Sequence, residues 1–153
     1  MKGISTFERS VRLEAGTGEV YAFHEDPRNI TRISPPSLLV EKVECSVPAA
    51  PGGRFRLRIR QFGVPMEWVG VWEEAVAPER LVDGAVSSPF RHWRHRHLFR
   101  ADGDGTVMTD SVEYALPWGL LGRLLDRTVM RLVFTAMFAA RHRATRDYFA
   151  KAR

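Results

Sequence analysis

A single cysteine, Cys45, occurs in 153 residues. One thiol cannot close an intramolecular disulfide and supplies neither a paired redox motif nor a multi-cysteine zinc site. A reducing cytoplasm is therefore the expected compartment. Lysine is scarce too: of 23 basic side chains, 20 are Arg and 3 are Lys. Long apolar runs are also missing. The most apolar stretch, residues 132–140, is interrupted by Thr135 and flanked by Arg131 and Arg141, far short of the ~20 residues that a membrane-spanning helix needs. The opening Met1-Lys2-Gly3-Ile4-Ser5-Thr6-Phe7-Glu8-Arg9 has no apolar segment of signal-peptide length, so export is not expected. No repeat of roughly 20–50 residues and no low-complexity tract is present.

What the chain does have is globular composition, with 44% hydrophobic and 27% charged residues. A fold of this length buries about 68–70% of the surface its unfolded chain exposes, and no stretch resembles an interdomain linker, so residues 1–153 are read as one domain. The net charge of +5 raises the question of a nucleic-acid surface. Many of the Arg residues lie near Glu or Asp, however, and an Arg-for-Lys skew often reflects genome base composition. Nucleic acid is not the expected partner.

Turn-forming clusters at Asp26-Pro27-Arg28-Asn29, Ser34-Pro35-Pro36-Ser37, residues 48–53, Phe62-Gly63-Val64-Pro65 and Asp102-Gly103-Asp104-Gly105 divide the chain into short periodic segments. Residues 4–13 alternate Phe7, Val11 and Leu13 with Glu8, Ser10 and Arg12, as a half-buried strand does, with Arg9 breaking the apolar set. Residues 17–26 place Val20, Phe23 and His24 at helical spacing behind Thr17, which is expected to cap, and Pro27 allows a second helical turn through Ile33. Val43, Cys45 and Val47 alternate with Lys42, Glu44 and Ser46, giving a strand in which Cys45 serves as core filler.

Phe55, Leu57 and Ile59 alternate with Arg54, Arg56, Arg58 and Arg60. With Gly63-Val64 as the turn, Ile59 opposes Trp68, Leu57 opposes Gly70 and Phe55 opposes Trp72, while Arg60 meets Glu67 and Arg54 meets Glu73. The Arg ladder is then a solvated strand face, and Gly70 is a place where the sheet can bend. Residues 81–87 form a shorter strand. A second hairpin, with Gly103-Asp104 at its tip, pairs Phe99 with Met108, His97 with Asp110, His95 with Val112 and Trp93 with Tyr114 on one face. After Pro117 a long helix is expected over residues 118–150, its apolar stripe formed by Leu121, Leu125, Val129, Leu132, Ala136 and Ala139 and widened by Phe134, Met137 and Phe138. Arg123, Arg127, Arg131, Arg143 and Arg146 mark its wet side.

This order of elements implies an α+β domain with an antiparallel sheet. Several segments carry a resemblance over essentially the whole length. They are Phe7-Glu8-Arg9-Ser10-Val11-Arg12-Leu13, Val20-Tyr21-Ala22-Phe23 leading to Asp26-Pro27-Arg28-Asn29, Trp93-Arg94-His95-Arg96-His97-Leu98-Phe99, Thr109-Asp110-Ser111-Val112-Glu113-Tyr114, and Phe138-Ala139-Ala140-Arg141-His142. In this order they resemble the START-like or SRPBCC superfamily, the helix-grip proteins related to birch-pollen allergen and polyketide cyclases. The resemblance implies a curved antiparallel sheet of about seven strands, in the order β-α-α-β6-α, wrapped around the terminal helix. It also implies a cavity between the two for lipids, polyketides or other apolar molecules.

A small hydrophobic ligand is accordingly the expected partner. Trp93, His95, His97, Phe99, Met108, Asp110, Val112 and Tyr114 are the candidate lining, extended by Phe55, Leu57, Trp68 and Trp72 and, from the helix, by Leu121 and Leu125. Aromatic faces suit flat molecules, and His or Tyr can orient a carbonyl in a dry space. In a catalytic version His95 or His97 is the general base, Asp110 fixes its tautomer and Tyr114 stabilises an enolate, as in cyclase or dehydratase chemistry. A third version uses the Arg-rich surfaces to contact RNA or a ribosome. Against the site reading stands a structural one. His97 and Asp110 can form a satisfied cross-strand pair joined by Arg9, with Trp68, Trp72, Trp93 and Met108 as core. His95, His97 and Asp110 could be metal ligands, but their spacing lacks the helical pattern of the best-known zinc enzymes, and neither a metal nor another cofactor is expected. His92 points to the opposite face, and His24 and His142 read as helix-surface or packing residues.

Overall fold

Apolar alternation, broken at Arg9, makes the opening segment a strand. In the computed structural model, which describes residues 3–152, it runs as β1 (Ser5–Leu13), followed by α1 (Thr17–His24), a 3-10 turn (Pro27–Asn29) and α2 (Ile30–Ile33). Six strands succeed them: β2 (Leu38–Cys45), β3 (Arg54–Gln61), β4 (Val64–Val76), β5 (Arg80–Ser87), β6 (His92–Asp102) and β7 (Gly105–Ala115). The chain ends in α3 (Gly119–Leu125), a π-helical turn (Asp126–Met130) and α4 (Arg131–Lys151), which together form one continuous rod. All strands lie in one antiparallel sheet of order β1-β7-β6-β5-β4-β3-β2. The curved seven-stranded sheet gripping a long terminal helix is the helix-grip fold. Thr17 does not cap α1, because Gly16 holds the N-cap position and no side chain bonds the helix end. Among the described residues no helix is long and apolar enough to cross a membrane.

The β6/β7 hairpin has the expected register: Phe99 faces Met108, His97 faces Asp110, His95 faces Val112 and Trp93 faces Tyr114, with Gly103 at φ 60° in the turn. The β3/β4 hairpin is two residues out of the expected register. Its turn is Phe62-Gly63, with φ 50° and 80°, the positive pair that a tight hairpin demands. Leu57 therefore faces Trp68, Phe55 faces Gly70 and Ile59 faces Met66. A shift of two keeps every side chain on its face but changes the ion pairs. Glu67 meets Arg56 at 2.9 Å, Arg60 reaches Glu41 on β2 and Glu73 binds Arg94 on β6. Gly70 is where Phe55 crosses the sheet: a Cβ there would lie 2.2 Å from the ring. Register breaks at Val69/Gly70 and Trp72/Glu74 are bulges of the kind that bend a sheet.

The phase of the terminal helix differs from expectation. Phe134, Phe138, His142, Thr145 and Phe149 are its buried stripe, at the i, i+4, i+8, i+11, i+15 spacing of one helix face. Leu132, Ala136 and Ala139 point roughly 130° away from that stripe at 3.6 residues per turn. Leu132 is 72% exposed, and Leu121 and Val129 are exposed as well. Hydropathy alone misplaces the stripe because its core-facing side includes His142 and Thr145. His142 finds a carboxylate on the sheet and Thr145 donates to the Arg141 carbonyl, so neither is buried without a partner. The π turn shifts the phase again before α4 begins. Asp126, in that turn, accepts hydrogen bonds from the hydroxyls of Ser5 and Tyr114, pinning the rod to β1 and β7. Cys45 is half-buried against the main core.

Candidate functional site

His95 and His97 sit two residues apart on β6, so both project to the same face. Their rings lie 4.0 Å apart, centre to centre. On one side β7 brings Asp110 opposite His97, and on the other β5 brings Asp83 opposite His95. A fourth element closes the cluster: His142 on α4 donates from Nε2 to Asp110 Oδ2. The other Asp110 oxygen, Oδ1, is 3.0 Å from His95 Nε2 and 2.7 Å from His97 Nδ1. The first of these is a hydrogen bond, whereas the second is a close ionic contact that is off line for one. Asp83 Oδ2 stands 3.9 Å from His95 Nδ1 and 3.8 Å from His97 Nε2.

Burial and charge pull these groups apart. Burial pushes Asp83 up to about 6 against the opposing pull of His97. Burial acts in the same sense on Asp110, but His97, His142 and His95 outweigh it and hold that carboxyl well below its usual range. His97 is lowered by burial and then by His95. His24, whose Nδ1 bonds the Val20 carbonyl at 2.8 Å, is pushed down to about 4 by burial first and His97 second. Arg141 is lowered by burial, with Asp110 and Asp83 acting against that.

The cluster forms the polar end of a cavity of about 430 Å³ between sheet and rod. Of the residues expected to line it, Phe55, Leu57, Trp68, Trp72, Trp93, His95, His97, Met108, Asp110 and Leu125 do so. Four do not. Phe99 packs on Tyr21, ring centres 5.8 Å apart, and Val112 is fully buried against Phe134 and Phe138. Tyr114 is buried with its hydroxyl committed to Asp126, and burial followed by that bond raises its pKa. It cannot meet an enolate in the cavity as expected of it. Leu121 is exposed because the rod is rotated away from the expected phase.

Arg9 is corrected too. It lies opposite Asp110 in the register but is exposed, and His142 fills the place expected for it. Of the two readings offered for His24 and His142, packing holds: His142 is buried in the cluster, and His24 is half-buried with its ring centre 5.6 Å from that of His97. The residues that sequence reading missed are Asp83, His24, His142 and Arg141. For Asp83 the signal was a lone carboxylate inside the apolar run Leu81-Val82-Asp83; for Arg141 and His142 it was two polar residues beside Phe138. Two donors in the cavity wall, Trp72 Nε1 and Arg141 Nε, are buried with no hydrogen-bond partner among the described residues.

The fold recurs widely among solved structures. A START superfamily protein from Mycobacterium smegmatis superposes with a TM-score of 0.76 at 9% identity, covering 97% of this chain and 99% of that one. The di-domain ARO/CYC StfQ of the steffimycin biosynthetic pathway gives a TM-score of 0.78 at 12% identity over 98% of this chain, which spans 52% of the di-domain. A norcoclaurine synthase from Thalictrum, in complex with a transition-state analogue, gives 0.67 at 12% identity, covering 95% of this chain and 96% of that one. At such identities the likeness is one of fold. No curated protein matches the chain. The family model for polyketide cyclase / dehydrase and lipid transport aligns with residues 5–150, and over that span, nearly its whole length, the chain belongs to this family.

Proposed function

We propose that the chain binds a small, mostly apolar molecule carrying at least one hydrogen-bond-accepting oxygen, held between the concave sheet face and α4. The observation that carries this reading is the pairing of an aromatic and aliphatic cavity with two orphaned buried donors, Trp72 Nε1 and Arg141 Nε. A buried donor without a partner costs about 1–3 kcal/mol, which an oxygen on the ligand would recover. The volume of about 430 Å³ falls in the range of small-molecule sites. The compartment we infer is the cytoplasm.

Native mass spectrometry of freshly purified protein, with thermal melting across lipids and aromatic ketones, tests the reading. A co-purified apolar molecule or a stabilising ketone is expected, and Leu57→Arg, which puts a charge in the cavity, abolishes either. A folded protein that carries nothing and is stabilised by nothing in the panel overturns it.

A second reading, cyclase or dehydratase-like acid-base catalysis, is favoured by one arrangement: two adjacent imidazoles in the cavity wall, oriented by an ionised Asp110. In this version His95 or His97 takes a proton from carbon next to a carbonyl. Arg141 then stabilises the resulting oxyanion in the role first assigned to Tyr114. Once a substrate is found, His95→Gln and His97→Gln should each abolish turnover and spare binding. Unchanged turnover in both removes them from the mechanism.

A further inference from the structure

Asp110 decides which nitrogens of His95 and His97 carry protons. Its Oδ1 accepts from His95 Nε2 at 3.0 Å, leaving His95 Nδ1 a lone pair. The Asp110 oxygen 2.7 Å from His97 Nδ1 favours the proton on that nitrogen, although the contact is off line for a hydrogen bond, and so leaves the lone pair on Nε2. These two free nitrogens are the ones that face Asp83 Oδ2, at 3.9 and 3.8 Å. Three metal-donor atoms thus converge, all within 4.8 Å of one another.

Such an arrangement is repulsive until something positive lies at its centre.

We propose that His95 Nδ1, His97 Nε2 and Asp83 Oδ2 form a site for a divalent transition-metal ion such as zinc. Two imidazole nitrogens and one carboxylate oxygen are the donor set of many three-ligand metal centres. Ligand atoms in a tetrahedral zinc site lie about 3.4 Å apart, given bonds of about 2.0–2.1 Å, so Asp83 closes on each histidine by about half an ångström, and the two imidazole nitrogens, within 4.8 Å of one another, close by at most about 1.4 Å. Asp110 is then the outer carboxylate that orients two metal-bound imidazoles. The fourth position faces the cavity, since all three ligands line it.

The test is titration of chelator-treated, dialysed protein with Co(II), read by its visible ligand-field bands. One Co(II) per chain is expected, displaced by zinc, with a rise in melting temperature. Asp83→Asn and His97→Gln, checked for folding by circular dichroism, should each weaken Co(II) binding by more than about a hundredfold, and Asp110→Asn by about 10–100-fold. His92→Gln, on the opposite face of β6, should leave it unchanged. In the unmutated protein Co(II) should shift the ring protons of two histidines, a readout that needs no variant to fold.

Absence of saturable uptake by the folded protein overturns the proposal, as does uptake undiminished in Asp83→Asn and His97→Gln. The ligand-binding reading is judged separately, by binding of an apolar ketone to metal-free protein, so either can fail while the other stands.

Discussion

His142 Nε2 donates to Asp110 Oδ2 across 32 residues of chain, joining the middle of α4 to the centre of β7. This bond makes one carboxylate the shared partner of three imidazoles from two elements, so the helix is held to the sheet by a polar knot as well as by phenylalanines.

Removing the centre of that knot should be costly. Asp110→Ala leaves three imidazoles without their shared carboxylate, and breaking a buried ionic network from one side costs about 3–5 kcal/mol. Urea denaturation of the metal-free protein measures it. A loss below about 1 kcal/mol would mean that water, rather than Asp110, satisfies the histidines.

The phase of the terminal rod makes a second prediction. Phe138 is fully buried and Leu132 is 72% exposed. Phe138→Ala should therefore destabilise by about 3–5 kcal/mol and Leu132→Ala by no more than about 0.5 kcal/mol. Equal losses would place the wrong stripe in the core.

Gly70 and Phe55 are coupled by contact. A methyl group at position 70 would strike the Phe55 ring, so Gly70→Ala should cost about 1–3 kcal/mol as an overpacked site. In the Phe55→Leu background the same change should cost less, and the difference is the interaction that a double-mutant cycle reads. Strict additivity would show that the ring does not lie over the glycine.

His24 predicts a pH dependence. Its pKa is about 4 in the folded protein against an ordinary 6.5, so the unfolded chain takes up the proton first as pH falls. Stability from this group is lost from about pH 6.5 down to about 4, by roughly 1–3 kcal/mol in total. Asp83 acts in the opposite sense: its folded value near 6 lies above 3.8, giving stability below 3.8 that is lost as pH rises through 6. The clean measurement is therefore the difference between the unmutated protein and His24→Gln, with chelator present. That difference should shrink toward acid, and parallel curves would refute the assignment.

The elements were legible in the residues because local rules govern them. Alternation marked Phe55-Arg56-Leu57-Arg58-Ile59 as a strand, and Asp102-Gly103-Asp104-Gly105 marked a hairpin whose register followed from its turn. The β3/β4 register was missed by two because Phe62, rather than Val64, takes the positive φ beside Gly63, and sequence gives little warning when a bulky residue does so. The helix was legible in extent but not in phase. Its buried face includes His142 and Thr145, and hydropathy cannot know that Asp110 waits opposite.

The site divides along the same line. His95, His97 and Asp110 could be placed together from sequence because adjacent strands of one hairpin bring them together, and pairing rules operate at that range. Asp83, Arg141, His142 and His24 arrive from β5, α4 and α1, and only the closing of the sheet over the helix determines that they meet. Sequence by itself determined which segments become strands and helices, since those choices rest on the backbone and nearest neighbours. Tertiary structure decided which polar side chains share one buried point, because burial and charge pairing depend on elements far apart in the chain.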